Sequence, residues 1–215
     1  MPYTDQDPEL KLELTNSITH GIGVLFGIAF IPLLTALAVR SNDIPAITGA
    51  CIYGFCFLML FTFSMLYHGF QQPRVKQVLK VFDHISIYFL IAGTYTPFIL
   101  TYLYNQTGII MLCLLWGLTI IGVFFKIFFV NRFNLASTIV YVLMGWMLVW
   151  SGRDFFREMP VSVIALIITG GMLYSIGVIF YLWRKWFWHH PIWHLFVLAA
   201  AVCHYAAILI SVTHR

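Results

Sequence analysis

Apolar runs of about twenty residues, the length a helix needs to cross the hydrocarbon core of a bilayer, alternate with short polar breaks along the chain. The pattern predicts spans over residues 17–39, 46–68, 84–104, 108–130, 135–152, 161–182 and 193–212. The first breaks are Arg40 to Asp43, a polar basic loop from Gln71 to Lys80, and a tight turn at Asn105 and Gln106. Asn131 to Asn134, Arg153 to Pro160 and Arg184 to His190 complete the set. The runs are too long and too continuously apolar for barrel strands. Lipid leaves each segment to satisfy its own backbone polar groups, so helices are the expected spanning element. The expectation is an all-α integral membrane protein, a bundle of seven transmembrane helices forming one domain over residues 1–215, with no repeat or long linker dividing it.

Composition narrows this picture. The chain is 61% hydrophobic and 9% charged, with a mean hydropathy of +0.89, where soluble domains carry roughly 25% charged residues. No sizeable soluble domain fits beside the spans. Asp5, Asp7, Glu9 and Glu13 precede the first run without a basic segment or a small-residue cleavage site, so the first span is expected to be retained. Cys51, Cys56, Cys113 and Cys203 lie within apolar runs and read as small buried hydrophobes. Glycines at 21, 23 and 27, and again at 170, 171 and 177, allow close helix approach.

The net charge of +4 sits in loops, where it sets topology, and neither a nucleic-acid module nor a nucleic-acid partner is expected. Lys11, Arg74, Lys76, Lys80, Lys126, Arg132, Arg184 and Lys185 fall on the side of the N-terminus. Arg40, Arg153, Arg157 and Arg215 fall on the other. Eight against four places residues 1–16 in the cytoplasm and the C-terminus outside.

The informative residues are the polar ones within or beside the spans. An ionisable group near the bilayer centre costs about 2.5 to 3.5 kcal/mol, so such groups face a cavity, a partner or a metal. His20 opens the first span, His68 ends the second, Asp83 and His84 begin the third, and His190 and His194 begin the seventh. The predicted topology brings all of them to one depth. His190 and His194 are four residues apart, so both imidazoles share a helical face and can ligate one ion, with His68 as a third nitrogen. Three histidines and an open position match a catalytic zinc site. Ser64, one turn before His68, and Asp83 are placed to hold a water or a ligand beside it. The competing reading is a pair of interfacial histidines in an aromatic belt with Trp188 and Trp193.

Pro191 pushes the residue before it out of the α region, which puts His190 at the helix start and keeps His189 as an alternative ligand. His204 lies ten residues beyond His194, too far to share the ion, and is expected to make a buried hydrogen bond. His84 is expected to point elsewhere, and His214 to be solvated.

These residues resemble the bacterial hemolysin III family, the prokaryotic branch of the progestin and adiponectin receptor superfamily. The resemblance is carried by E-x2-N-x3-H at Glu13, Asn16 and His20, by S-x3-H at Ser64 and His68, by FDHISIYFLIAGTYTPF from Phe82 to Phe98, and by HPIWH from His190 to His194 followed by AAAVCH. It implies a seven-helix bundle in a bacterial cell membrane, with zinc held near the cytoplasmic face by His68, His190 and His194, and Ser64 and Asp83 beside it. A relationship to alkaline ceramidases implies hydrolysis of a lipid amide, with membrane lipids or a fatty acyl chain as partners. A lipid sensor with a structural zinc and a pore-forming cytolysin are the alternatives.

Overall fold

A computed structural model describes residues 8–213. Asp5, Asp7, His214 and Arg215, which entered the reading of the termini, lie outside the described residues. Among those residues the chain forms eight helices and no strand. They are α1 (Pro8–Arg40), α2 (Ile44–Gly69), α3 (Pro73–Tyr102), α4 (Gln106–Phe129), α5 (Asn134–Gly145), α6 (Arg153–Arg157), α7 (Val161–Leu182) and α8 (His189–Thr213). A 3-10 segment, Met147–Ser151, follows α5. All but α5 and α6 are long and apolar enough to cross a membrane, and these six coincide with six of the predicted runs.

Three helix starts move. α1 begins at Pro8, nine residues ahead of the expected span. The expected polar loop from Gln71 to Lys80 is helical from Pro73 onward. Proline at a first helical position supplies a preset φ and lacks only an N–H that would have no partner there, so the helix starts before its apolar stretch does. At α8 the helix begins at His189, four residues ahead of the expected span, with Pro191 in its first turn.

The fifth apolar run departs furthest from a regular span. Its α-helix stops at Gly145 and tightens into the 3-10 segment, which ends at Gly152 with a φ of 72°, a conformation glycine adopts without the Cβ clash. Tyr95 of α3 supplies what the break leaves unpaired. Its hydroxyl donates to the Gly145 carbonyl at 2.7 Å and accepts from the Leu148 N–H at 3.1 Å. Beyond the break, Phe155 and Met159 are buried in the core.

α3 is the central helix: 67% of its apolar stretch is buried within the protein, against 28% in α1 and α4 and 22% in α7. Tyrosine hydroxyls tie the helices together, Tyr53 to the Ala201 carbonyl at 3.0 Å, Tyr205 to that of Phe30 at 2.9 Å and Tyr141 to that of His84 at 3.0 Å. At Gly23 a Cβ would lie 2.2 Å from the Phe61 ring, so glycine is what lets α1 and α2 approach. The outer faces stay apolar and exposed, as with Ile18, Ile22 and Leu25 of α1 and Ile120, Ile121 and Phe124 of α4, a continuous surface that lipid must cover. Cys51 and Cys113 lie on exposed faces, unlike buried Cys56, because the environment that tolerates an apolar thiol here is lipid as well as core.

Polar contacts gather at one end of the bundle. Glu13 of α1 meets His68 at the end of α2 and Lys76 at the start of α3, and Lys80 donates to Asn131 beyond α4 at 2.8 Å. The end of α7 and the start of α8 share this level, the histidine end of the bundle.

Candidate metal centre

His68 lies one residue before the end of α2, and His190 and His194 occupy the first turns of α8. The predicted trio is thereby brought together. One potential ligand atom from each lies within 4.8 Å of the others. The His190 and His194 rings are 4.6 Å apart between centroids, and those of His68 and His194 4.9 Å. His68 and His194 are buried, at 2% and 3% exposure, and the Nε2 atom of each has no hydrogen-bond partner. Unpaired buried nitrogens facing one another fit a cation: each neutral imidazole keeps a lone pair that nothing in the protein uses.

The other ring nitrogens explain how the lone pairs are aimed. His68 Nδ1–H donates to Glu13 Oε2 at 2.8 Å, and Lys76 Nζ holds the same oxygen at 2.9 Å. A carboxylate on Nδ1 fixes the tautomer with Nε2 free, the arrangement that orients metal-binding histidines. For His194 the corresponding partner is His20, whose Nε2 sits against His194 Nδ1. Asn16 is buried one turn earlier on α1. The E-x2-N-x3-H pattern marks Glu13, Asn16 and His20 in the sequence without giving them partners. Their spacing of three and four residues, which puts all three on one stripe of α1, was the signal for a helix that orients the ligands of its neighbours.

Ser64 and Asp83 line the same cavity as His190 and His194, a space of about 410 Å³ that runs inward from the histidine end between apolar side chains such as Leu90, Ile91 and Val197. Ser64 is buried, and its hydroxyl has no partner. Asp83 falls outside the three-histidine group; its carboxylate lies 3.7 Å from His84 Nδ1. That imidazole donates to the Lys80 carbonyl at 2.8 Å, which leaves the Asp83 oxygens available to the cavity. His84 does not point elsewhere as expected: it also lines the cavity, because α3 turns both neighbours toward the gap beside α5. His189 lines it as well but does not join the trio, so the helix start selects His190.

His204 makes the expected buried hydrogen bond, Nε2–H donating to the Ile167 carbonyl at 3.3 Å. Most buried side-chain atoms without a partner, among the described residues, converge on this one cavity. Each such group costs roughly 1 to 3 kcal/mol if nothing fills the space. The arrangement suits a ligand that is apolar along its length and polar at fixed points.

Fold and site together define a multi-pass helical membrane protein with a buried histidine cluster at one end. The chain belongs to the haemolysin-III related family, whose model matches residues 9–205. It is 39% identical over 203 residues to Hemolysin-3 of Bacillus cereus, covering 94% of this chain and 93% of that protein. It is 40% identical over 200 residues to the Hemolysin-3 homolog of Bacillus subtilis (strain 168), covering 93% and 94%. A more distant relative is the human monocyte to macrophage differentiation factor, 28% identical over 204 residues, 90% of this chain and 81% of that one.

Proposed function

We propose that this chain is a zinc-dependent hydrolase of lipid amides, acting in a bacterial cell membrane on the composition of that membrane. The observation that carries the reading is that three histidines bring ligand atoms within 4.8 Å of one another, those of His68 and His194 unpaired, and that His190 and His194 line the same cavity as a carboxylate and an unpaired hydroxyl. A zinc ion held by His68, His190 and His194 would polarise a lipid carbonyl and lower the pKa of a water toward about 7. The chain's own residues do the rest. Asp83 takes the proton of the attacking water and returns it to the amine as the C–N bond breaks, leaving a fatty acid and a free amine. Ser64 donates a hydrogen bond to the carbonyl side of the substrate. Glu13 and His20 keep the histidine tautomers fixed while Leu90, Ile91 and Val197 exclude water from the acyl chain.

The membrane frame belongs to the same proposal: seven crossings with the N-terminus in the cytoplasm. The start of α5 lies at the histidine end, where Asn131 just before it accepts from Lys80, and α7 returns to that end before α8. The chain between them therefore passes to the far side through α5 and the 3-10 segment. Twelve and five residues span about 28 Å at 1.5 and 2.0 Å per residue, close to a hydrocarbon core of about 30 Å. A cytoplasm-only reporter fused after Arg215 is expected to be silent.

A non-catalytic lipid sensor with a structural metal is the second reading, favoured by the position of Asp83 outside the three-histidine group. The deciding experiment is metal analysis of the purified protein, followed by incubation with a panel of lipid amides and esters. About one zinc per chain with turnover of a lipid amide supports the hydrolase. One zinc with no turnover of any lipid supports the sensor.

A further inference from the structure

The cavity has a second polar end that the proposed hydrolysis does not use. Ten residues beyond His194, about 15 Å along the α8 axis, His204 is buried at 8% exposure and lines the cavity with Tyr174 of α7. Their ring centroids are 5.6 Å apart. His204 sits against Gly170, where a Cβ would lie 2.4 Å from its Nε2, so α7 gives up a side chain to admit this imidazole. Its Nε2–H is spent on the Ile167 carbonyl, which leaves Nδ1 as a bare acceptor. Both Nδ1 and the Tyr174 hydroxyl are buried without a partner.

The donor pattern selects the occupant. An imidazole lone pair accepts, and a phenol both donates and accepts. A hydroxyl group satisfies both at once, donating to His204 Nδ1 and accepting from Tyr174. A carboxylate would meet the lone pair unfavourably, and a ketone would leave it unused. The basic side chains that line the cavity, Lys80 and Arg184, belong to the histidine end.

We propose that His204 and Tyr174 form a second subsite that selects acyl chains bearing a hydroxyl far from the carbonyl. This rests on reading the cavity as a lipid site with the carbonyl or carboxylate at the histidines. Carbon–carbon bonds of about 1.5 Å at tetrahedral angles advance an extended chain about 1.25 Å each, so about 15 Å corresponds to a hydroxyl near carbon 12.

The test is binding of 12-hydroxystearic, 2-hydroxystearic and stearic acids to the purified protein in detergent, read through tryptophan fluorescence, since Trp146 and Trp193 line the cavity. The 12-hydroxy acid is expected to bind about 10-fold tighter than stearic acid, the gain of a hydrogen bond to otherwise unpaired groups. The 2-hydroxy acid gains nothing at this subsite. Tyr174→Phe, which keeps the ring and leaves only His204 Nδ1 to meet the hydroxyl, is expected to cut the preference at least about threefold while stearic acid binds within about twofold of wild type, which also shows that the variant is folded. Equal binding of all three acids by wild type, or a preference untouched in Tyr174→Phe, overturns the proposal and leaves the pair holding water. Binding is measured without turnover, so failure of the hydrolase reading, seen as absent lipid cleavage, stays distinct from failure of the subsite.

Discussion

The two ends of the bundle are built on opposite rules. At the histidine end, Glu13, His68, Lys76, His20 and His194 are linked in polar contacts, and lone pairs are left over. At the far end, Leu103, Phe155 and Met159 pack into the core, and Tyr95 silences the break after α5. Most of the unsatisfied polar groups among the described residues line a cavity that runs from the histidine end inward to His204 and Tyr174, while at the break after α5 the Tyr95 hydroxyl satisfies the backbone. In a bilayer that asymmetry is expensive to maintain unless something binds at the polar end. The proposed ligand set and the proposed base both lie there, so substitutions at the two ends should separate chemistry from packing.

The largest effect is expected at His194. Its Nε2 faces the trio, and His20 orients it from behind. Replacing one of three protein ligands in His194→Ala should take bound zinc from about one per chain to nearly none in elemental analysis. Full zinc in each of the single variants His68→Ala, His190→Ala and His194→Ala would end the metal assignment.

Next is Asp83→Asn, which keeps shape and hydrogen-bonding reach but removes the charge that accepts a proton. Turnover of any lipid amide found as substrate should fall at least about 100-fold, within the usual range for loss of a general acid or base. Zinc should remain bound at saturating concentration. Equal turnover by wild type and variant would exclude Asp83 as the base.

Glu13→Gln probes the layer behind the ligands. The amide still accepts from His68 Nδ1–H, but the charge shared with Lys76 is gone. Loss of such an outer partner weakens metal affinity about 10-fold or more. Competition with a chelator measures it. An unchanged zinc affinity would mean that the tautomer of His68 is set by burial alone.

The roles of these residues were unevenly legible in the sequence. Six long helices could be read directly, because a bilayer imposes one length of apolar run and tolerates little else. His68, His190 and His194 could be read because the end of one predicted span and the start of another carry histidines at one predicted depth. What the pattern hid was settled between helices. The stop at Gly145 depends on a tyrosine fifty residues upstream. The helical start of α3 was masked by charges that a helix outside lipid carries freely. Glu13 and His20 were visible as polar residues, but their partners, His68 and His194, are 55 and 174 positions away. His84 was misplaced because adjacency to Asp83 says nothing about how wide a gap α3 faces.

The smallest effect on the site is expected from the far end, at Phe155. Its side chain is fully buried, edge-on to Phe156 with ring centroids 5.3 Å apart, and belongs to the same core as Leu103 and Met159. Truncation to alanine removes contacts that nothing nearby can refill, and such losses typically cost about 3 to 5 kcal/mol. Phe155→Ala should therefore lower the unfolding temperature in detergent clearly. It is not among the side chains that line the cavity. If the two ends are independent, zinc affinity measured well below the new unfolding temperature should stay within about twofold, as distant sites with no shared partners behave additively. A tenfold loss of zinc affinity in the folded variant would show that packing at the closed end holds the histidines in register, and the division between the ends would have to be abandoned.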